Sequence, residues 1–278
     1  VFASEIGIDP EKVDGETRVE LAFDFPLKES VEWEEVKFSA DALVEKVNIP
    51  GGLFDLDVND GMLNLAIDNS GMDIKGHMLL NNFPTDIKWR QNFLADASFQ
   101  NQYELSVQVK DVKSFTDLGI DVRPFSADMI SGQMPLNLKV TQNFTGPTKL
   151  EANASLDEMT VYVPAINWYK SIGVPGKALA VFYIENDVIV EIPEFSLETD
   201  ELELVGSAHY SEANGQLDRI KLNRIAYGRT DLSGILVPGA TGVWDADFSG
   251  TSLDLSPVWE DMMYGDLFDS GERVLENI

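Results

Sequence analysis

The stretch FDLDVNDGMLNLAI, residues 54–67, decides the fold class. Phe54, Leu56 and Val58 alternate with Asp55 and Asp57, and Leu63, Leu65 and Ile67 alternate with Asn64 and Ala66. A period of two puts the apolar residues on one face of an extended strand and the polar ones on the other. Between the two runs stands Asn59-Asp60-Gly61. Asp-Gly flanked by alternating apolar residues is the strongest local signal for a tight β-hairpin, so the chain is expected to reverse there.

The same alternation extends in both directions. Upstream, Val19, Leu21, Phe23 and Phe25 form one face of a strand that Pro26 ends, and Phe38, Ala40 and Ala42 lie on a second. Residues 42–47 also admit a short helical turn, and Pro50-Gly51-Gly52 is expected to break the chain. Downstream, Met72, Ile74, Met78 and Leu80, then Ile87 and Trp89, then Tyr103, Leu105, Val107 and Val109 repeat the beat. It resumes at Leu136–Val140 and at Leu150–Val163, and continues from Leu179 to Leu222. The segment Arg224–Gly234 reads as a turn-rich link, and Trp244, Ala246 and Phe248 as a late strand. Short helices are expected only at Asp111–Ile120 and, from a Ser256 cap followed by Pro257, at Pro257–Met263. The spacing therefore predicts a mainly β protein of repeated antiparallel strands with few short helices.

Composition narrows the function. Forty-eight acidic against 20 basic residues give a formal charge of −28, which repels nucleic acid and anionic headgroups. With no cysteine the chain has neither disulfides nor thiolate chemistry. No apolar run reaches the length of about 18 residues that suggests a membrane span. The chain, starting at Val1, reads as a segment of a longer protein whose anchor lies elsewhere.

Catalytic and metal-binding patterns are weak. Asp55-x-Asp57-x-Asn59 resembles the start of a calcium loop, but Asp60 and Ala66 occupy the places where an EF-hand needs glycine and a bidentate glutamate. His77 and His209 are the only histidines, and no G-x-S-x-G elbow occurs. The chain is expected to be no enzyme, with no catalytic residue, metal or cofactor. Trp89, Trp168 and Trp244 leave a second reading open, a carbohydrate-binding or adhesion module on a β-sandwich.

An internal echo is present. Leu65, Ile67, Met72, Ile74, Gly76 and Met78 correspond to Phe195, Leu197, Leu202, Leu204, Gly206 and Ala208 at a constant offset of 130. It suggests one elongated β segment over residues 1–278 with repeat units of about 16–110 and 134–256, and a short helix and tail at 257–278.

Within LEANASLDEMTVYVPAINWYKSIGVPGKA (residues 150–178), a strand ends at Pro164 and is followed by a tryptophan-lysine loop and a Val174-Pro175-Gly176 turn. By itself this is an aromatic-plugged connection between strands. Its wording resembles the AsmA-like envelope proteins of Gram-negative bacteria, the large YhdP-type members in particular. GMLNLAIDNSGMDIKGHMLLNNFPTDIKWRQNF (61–93), LNRIAYGRTDLSG (222–234) and GVWDADFSGTSLDLSP (242–257) extend the resemblance over about Gly15 to Pro257. It implies an elongated, curved antiparallel β-groove that carries phospholipid acyl chains between inner and outer membranes. The implied location is the periplasm, as part of an inner-membrane-anchored protein that touches the membrane only through regions outside this segment. The implied lipid-lining residues are Val19, Leu21, Phe23, Phe54, Leu56, Leu63, Leu65, Ile67, Met72 and Ile74. The strongly acidic balance departs from a membrane-contacting surface.

Overall fold

The computed structural model describes residues 13–32, 35–111, 114, 117–118, 129–163, 168–211, 215–239, 243–254 and 256. Among the described residues strand accounts for 74% and helix for 2%, so the mainly β, antiparallel class expected from alternation is the class observed. Of the expected helix at Asp111–Ile120, Ser114 and Asp117 are helical, with Leu118 N–H bonded to the Ser114 carbonyl at 3.1 Å. The expected helix at Pro257–Met263 lies outside the described residues. With so little helix, strands themselves must bury the apolar faces.

The chain divides into two compact units, Val1–Gln108 with Asn137–Thr148, and Val109–Leu136 with Lys149–Ile278. In the first, β1 (Asp14–Asp24), β2 (Lys37–Leu53), β3 (Leu56–Asp68), β4 (Gly71–Leu80), β5 (Phe83–Asn92), residues 101–108 of β6 (Asn101–Asp111) and residues 137–142 of β7 (Ile130–Gln142) follow one another in the sheet in sequence order. From β1 to β6 each neighbouring pair is antiparallel. The Asn137–Gln142 part of β7 belongs to this unit, and there the Ser106 hydroxyl donates to Asn137 Oδ1 at 2.7 Å.

The expected reversal at Asn59-Asp60-Gly61 is not formed. The chain turns five residues earlier, at Phe54-Asp55, where φ values of 52° and 61° make a two-residue hairpin loop closed by the Leu53–Leu56 pair. Asp60, with φ 48°, is instead the extra residue of a bulge inside β3, where Asn59 and Asp60 stand opposite Asn48 alone. A second bulge at Lys46 (φ 55°) answers it on β2, and Asn48 ties the two. Its amide donates to the Lys46 carbonyl at 2.9 Å and its Oδ1 accepts the Asp60 N–H at 3.2 Å. Pro50-Gly51-Gly52 does not break the chain, because β2 runs through it as a further irregularity, with Gly51 N–H held by Asp57 Oδ1 at 2.8 Å. Residues 42–47 are strand, not a helical turn.

The second unit holds β8 (Thr148–Ser155), β11 (Gly176–Glu185), β12 (Val188–Thr199), β13 (Leu202–Tyr210), β14 (Leu217–Tyr227), β15 (Thr230–Pro238) and β16 (Trp244–Ser252), neighbours in that order. Off this path, β9 (Met159–Val163) pairs with β10 (Trp168–Lys170) and with Ile130–Gly132. Arg224–Gly234 is not a link but a hairpin, β14 and β15 meeting at Gly228-Arg229. The Asn186-Asp187 turn (φ 50° and 62°) repeats the left-handed geometry of Asn81-Asn82 (φ 45° and 69°) in the first unit. These are the residue types that adopt it at least cost.

The echo at offset 130 maps β3 and β4 onto β12 and β13, with an altered register. Ile67 pairs with Met72, whereas Leu197 pairs with Leu204, two residues further along. Gly76 and Gly206 both lie where a Cβ has no room: it would fall 2.0 Å from the Met62 carbonyl oxygen and 2.5 Å from Phe195 Cζ, respectively.

Candidate functional site: an apolar sheet face

Register places the sequence-derived residues on one surface of the first unit. One cross-strand row runs Val19, Ala42, Leu65, Ile74, Trp89, Tyr103, and a second runs Leu21, Ala40, Ile67, Met72. A third runs Thr17, Val44, Leu63, Gly76, Ile87, Leu105, and Phe23 faces Phe38. Leu56 joins the face through Val58, which pairs with Leu80. Phe54 sits in the turn, its ring edge-on to Tyr103 at 5.1 Å, and Tyr103 stacks on Trp89 at 5.0 Å. The alternate residues, among them Glu20, Asp41, Asp73, Lys75, Asp86 and Glu104, occupy the opposite face.

Exposure grades across this apolar face. Met72 and Ile74 are buried at 9% and Ile87, Leu105 and Val107 at 5% or less, so they are core. Leu56, Leu63, Leu65 and Ile67 are half-buried. Val19, Leu21 and Phe23 stand 49%, 65% and 60% exposed, and Phe54 45%. The accessible apolar surface is thus confined to β1–β3 and the Phe54 turn. Phe38, Ala42 and Val44 of β2 complete it; Phe38 and Ala42 alternate in the sequence, Val44 falls in the stretch that also admitted a helical turn, and the register places all three between β1 and β3.

The opposite face carries a shallow cleft of about 390 Å³ lined by Arg18, Glu20, Asp41, Asn64, Asp73 and Lys75. The Arg90 guanidinium donates to Asp73 at 2.7 Å beside it. Each histidine bonds through Nδ1 to an aspartate on the neighbouring strand, His77 to Asp86 and His209 to Asp218, and both are exposed strand-surface residues. Among the described residues no group of three His, Asp or Glu side chains is arranged to hold a metal ion. No helix among them is long and apolar enough to cross a membrane.

In the second unit the equivalent face runs through Leu197, Leu204 and Ile225, and through Leu202 and Tyr227. Here the chain covers part of it. Trp168, 1% exposed, packs with Val161 and Leu202, flanked by Val163, Leu197 and Tyr227. Its indole N–H has no partner among the described residues. Two residues on, Lys170 is 2% exposed, and its ammonium donates to the carbonyls of Leu156 (2.5 Å), Met159 (3.1 Å) and Ser171 (3.3 Å). Burial lowers the Lys170 pKa below the ordinary lysine range, opposed by the charges of Asp157, Asp200 and Glu158. Gly176 leaves the space this side chain needs, since a Cβ there would lie 2.8 Å from Lys170 Cε. Trp89 and Trp168 are buried and Trp244 is half-buried, so no pair of them is presented as an open stacking platform. No protein-family model, curated protein or solved structure matches this chain.

Proposed function

We propose that this chain is a non-enzymatic lipid-binding segment of an AsmA-like envelope protein, holding phospholipid acyl chains on the apolar face of β1–β3. The observation that carries the reading is the exposure of Val19, Leu21 and Phe23 on a face continuous with half-buried Leu63, Leu65 and Ile67. Burying a large apolar side chain is worth about 1.5–3 kcal/mol, so such a surface favours an apolar occupant over water. The carboxylates of these strands lie on the other face, where they do not oppose acyl chains. On this reading the segment works in the periplasm, and the resemblance supplies the cargo class and the route between the two membranes.

The test is phospholipid retained by protein purified from a Gram-negative host, measured by mass spectrometry. Leu21→Asp and Leu65→Asp should keep the β-type circular dichroism and lose bound lipid. A carboxylate on the open part of the face can stay hydrated, whereas Ile87→Asp must be desolvated and should cost more than about 3 kcal/mol of stability. Lipid-free wild-type protein, or unchanged lipid in both open-face variants, would refute the reading.

A further inference from the structure

We infer that β1 is a self-association edge, pairing antiparallel with β1 of a second copy of this chain across a two-fold axis at Leu21. Among the described residues β1 is bonded to β2 alone, so its other side presents a row of unpaired backbone groups. The strand is exposed along its whole length on both faces. It contains no proline, and its pairing with β2 is irregular only between Asp14 and Glu16, so Thr17–Asp24 is a regular template. Of the devices that blunt such edges, proline and bulges are missing from Thr17–Asp24, and the charges there are placed so that a second copy can pair them.

The residue order makes the edge self-complementary. With Leu21 opposite itself, Val19 faces Phe23 and Thr17 faces Phe25, while on the polar side Arg18 faces Asp24 and Glu20 faces Ala22. Symmetry doubles each contact, giving two Arg18–Asp24 pairs and no like charges opposed. Neither Arg18 nor Asp24 has an ion-pair partner among the described residues. Moving the centre to Glu20 opposes Glu20 to itself and Glu16 to Asp24, and moving it to Ala22 opposes Glu20 to Asp24.

The edge of the second unit, β16, does not compete. Its polar side offers Asp245 and Asp247 and no cation, so two copies of it make no ion pair. Setting Arg18 against Asp245 or Asp247 in an antiparallel β1–β16 pair brings Glu16 or Glu20 against the other aspartate. The partner chemistry that fits β1 is therefore β1. Because the axis stands perpendicular to the strands and to the sheet, the apolar faces of the two copies become continuous. The inference does not depend on lipid being bound.

Sedimentation of the full chain from about 1 µM to 1 mM should reveal a reversible dimer. Arg18→Asp alone and Asp24→Arg alone should each weaken it about tenfold, by losing two pairs and opposing like charges. The double swap Arg18→Asp with Asp24→Arg should restore it. Since the chain has no cysteine, L21C gives one thiol per copy, which meets its own symmetry mate at disulfide distance. Mild oxidation should cross-link L21C faster than I235C, an exposed position on β15. A wild-type monomer at every concentration, single variants without effect, a swap that fails to restore, or equal cross-linking of L21C and I235C would each overturn the inference.

Discussion

Tyr103 lies where the apolar face is closed, stacked on Trp89 and edge-on to Phe54, and burial pushes its phenol pKa up to about 12. The unfolded chain ionises near the ordinary tyrosine value of about 10, so between these values the folded state holds a proton that the unfolded state has lost. The contribution of Tyr103 is therefore fully present below about pH 10 and falls as pH rises towards 12, by on the order of 2 kcal/mol. Urea denaturation of wild type and Tyr103→Phe at pH 9 and pH 11 should show a larger loss for wild type. Equal losses would remove Tyr103 as the cause. That Tyr103 belongs to the apolar face was legible from its place in the Tyr103-Leu105-Val107 alternation; its stacking on Trp89 was not, because it depends on the β5–β6 register. Leu21 and Ile74 make the same point, since alternation puts both on one face and cannot tell that one is 65% exposed and the other 9%.

At the scale of elements, the Phe54-Asp55 turn explains why the best hairpin signal failed. Local chemistry favours Asn59-Asp60-Gly61, and a phenylalanine at positive φ is costly. The longer pairing outweighs both, because β2 and β3 continue past Gly61 as far as Leu53–Leu56, and Phe54 gains its contact with Tyr103. Asp60 keeps its left-handed conformation as a bulge residue. A sequence shows which residues tolerate positive φ, but not which of them sits at the end of a strand. The β9–β10 hairpin presents the reverse case. Its tryptophan plug was readable from Trp168 following a strand, whereas the lysine beside it looks like a solvated charge until three carbonyls are seen around its ammonium. Lys170→Met keeps the bulk and strands those carbonyls, so it should lower unfolding free energy by about 3 kcal/mol in urea titration. A change under about 0.5 kcal/mol would mean that water satisfies them as well as lysine does.

At the scale of the whole molecule, the first unit is bonded strand by strand in the order in which its sequence runs, and the second departs from that order only at β9 and β10. Each strand therefore finds its template in the hairpin just completed, and few contacts wait for a distant part of the chain. For a β protein this is a short search, and it favours rapid folding over the slow closure of long loops. It also makes stability unequal along the ladder, because a strand at the margin can peel away without disturbing the rest. In a solution dilute enough to keep copies apart, amide hydrogens of β1 should exchange fastest among the strands of the first unit and those of β4–β6 slowest, as resolved by mass spectrometry. In the second unit β16 should lead, and uniform protection across β1–β6 would show that the unit opens only as a whole. The meander is thus a record of time as well as of space: what is made by adding one strand to the last comes undone from its margins inward.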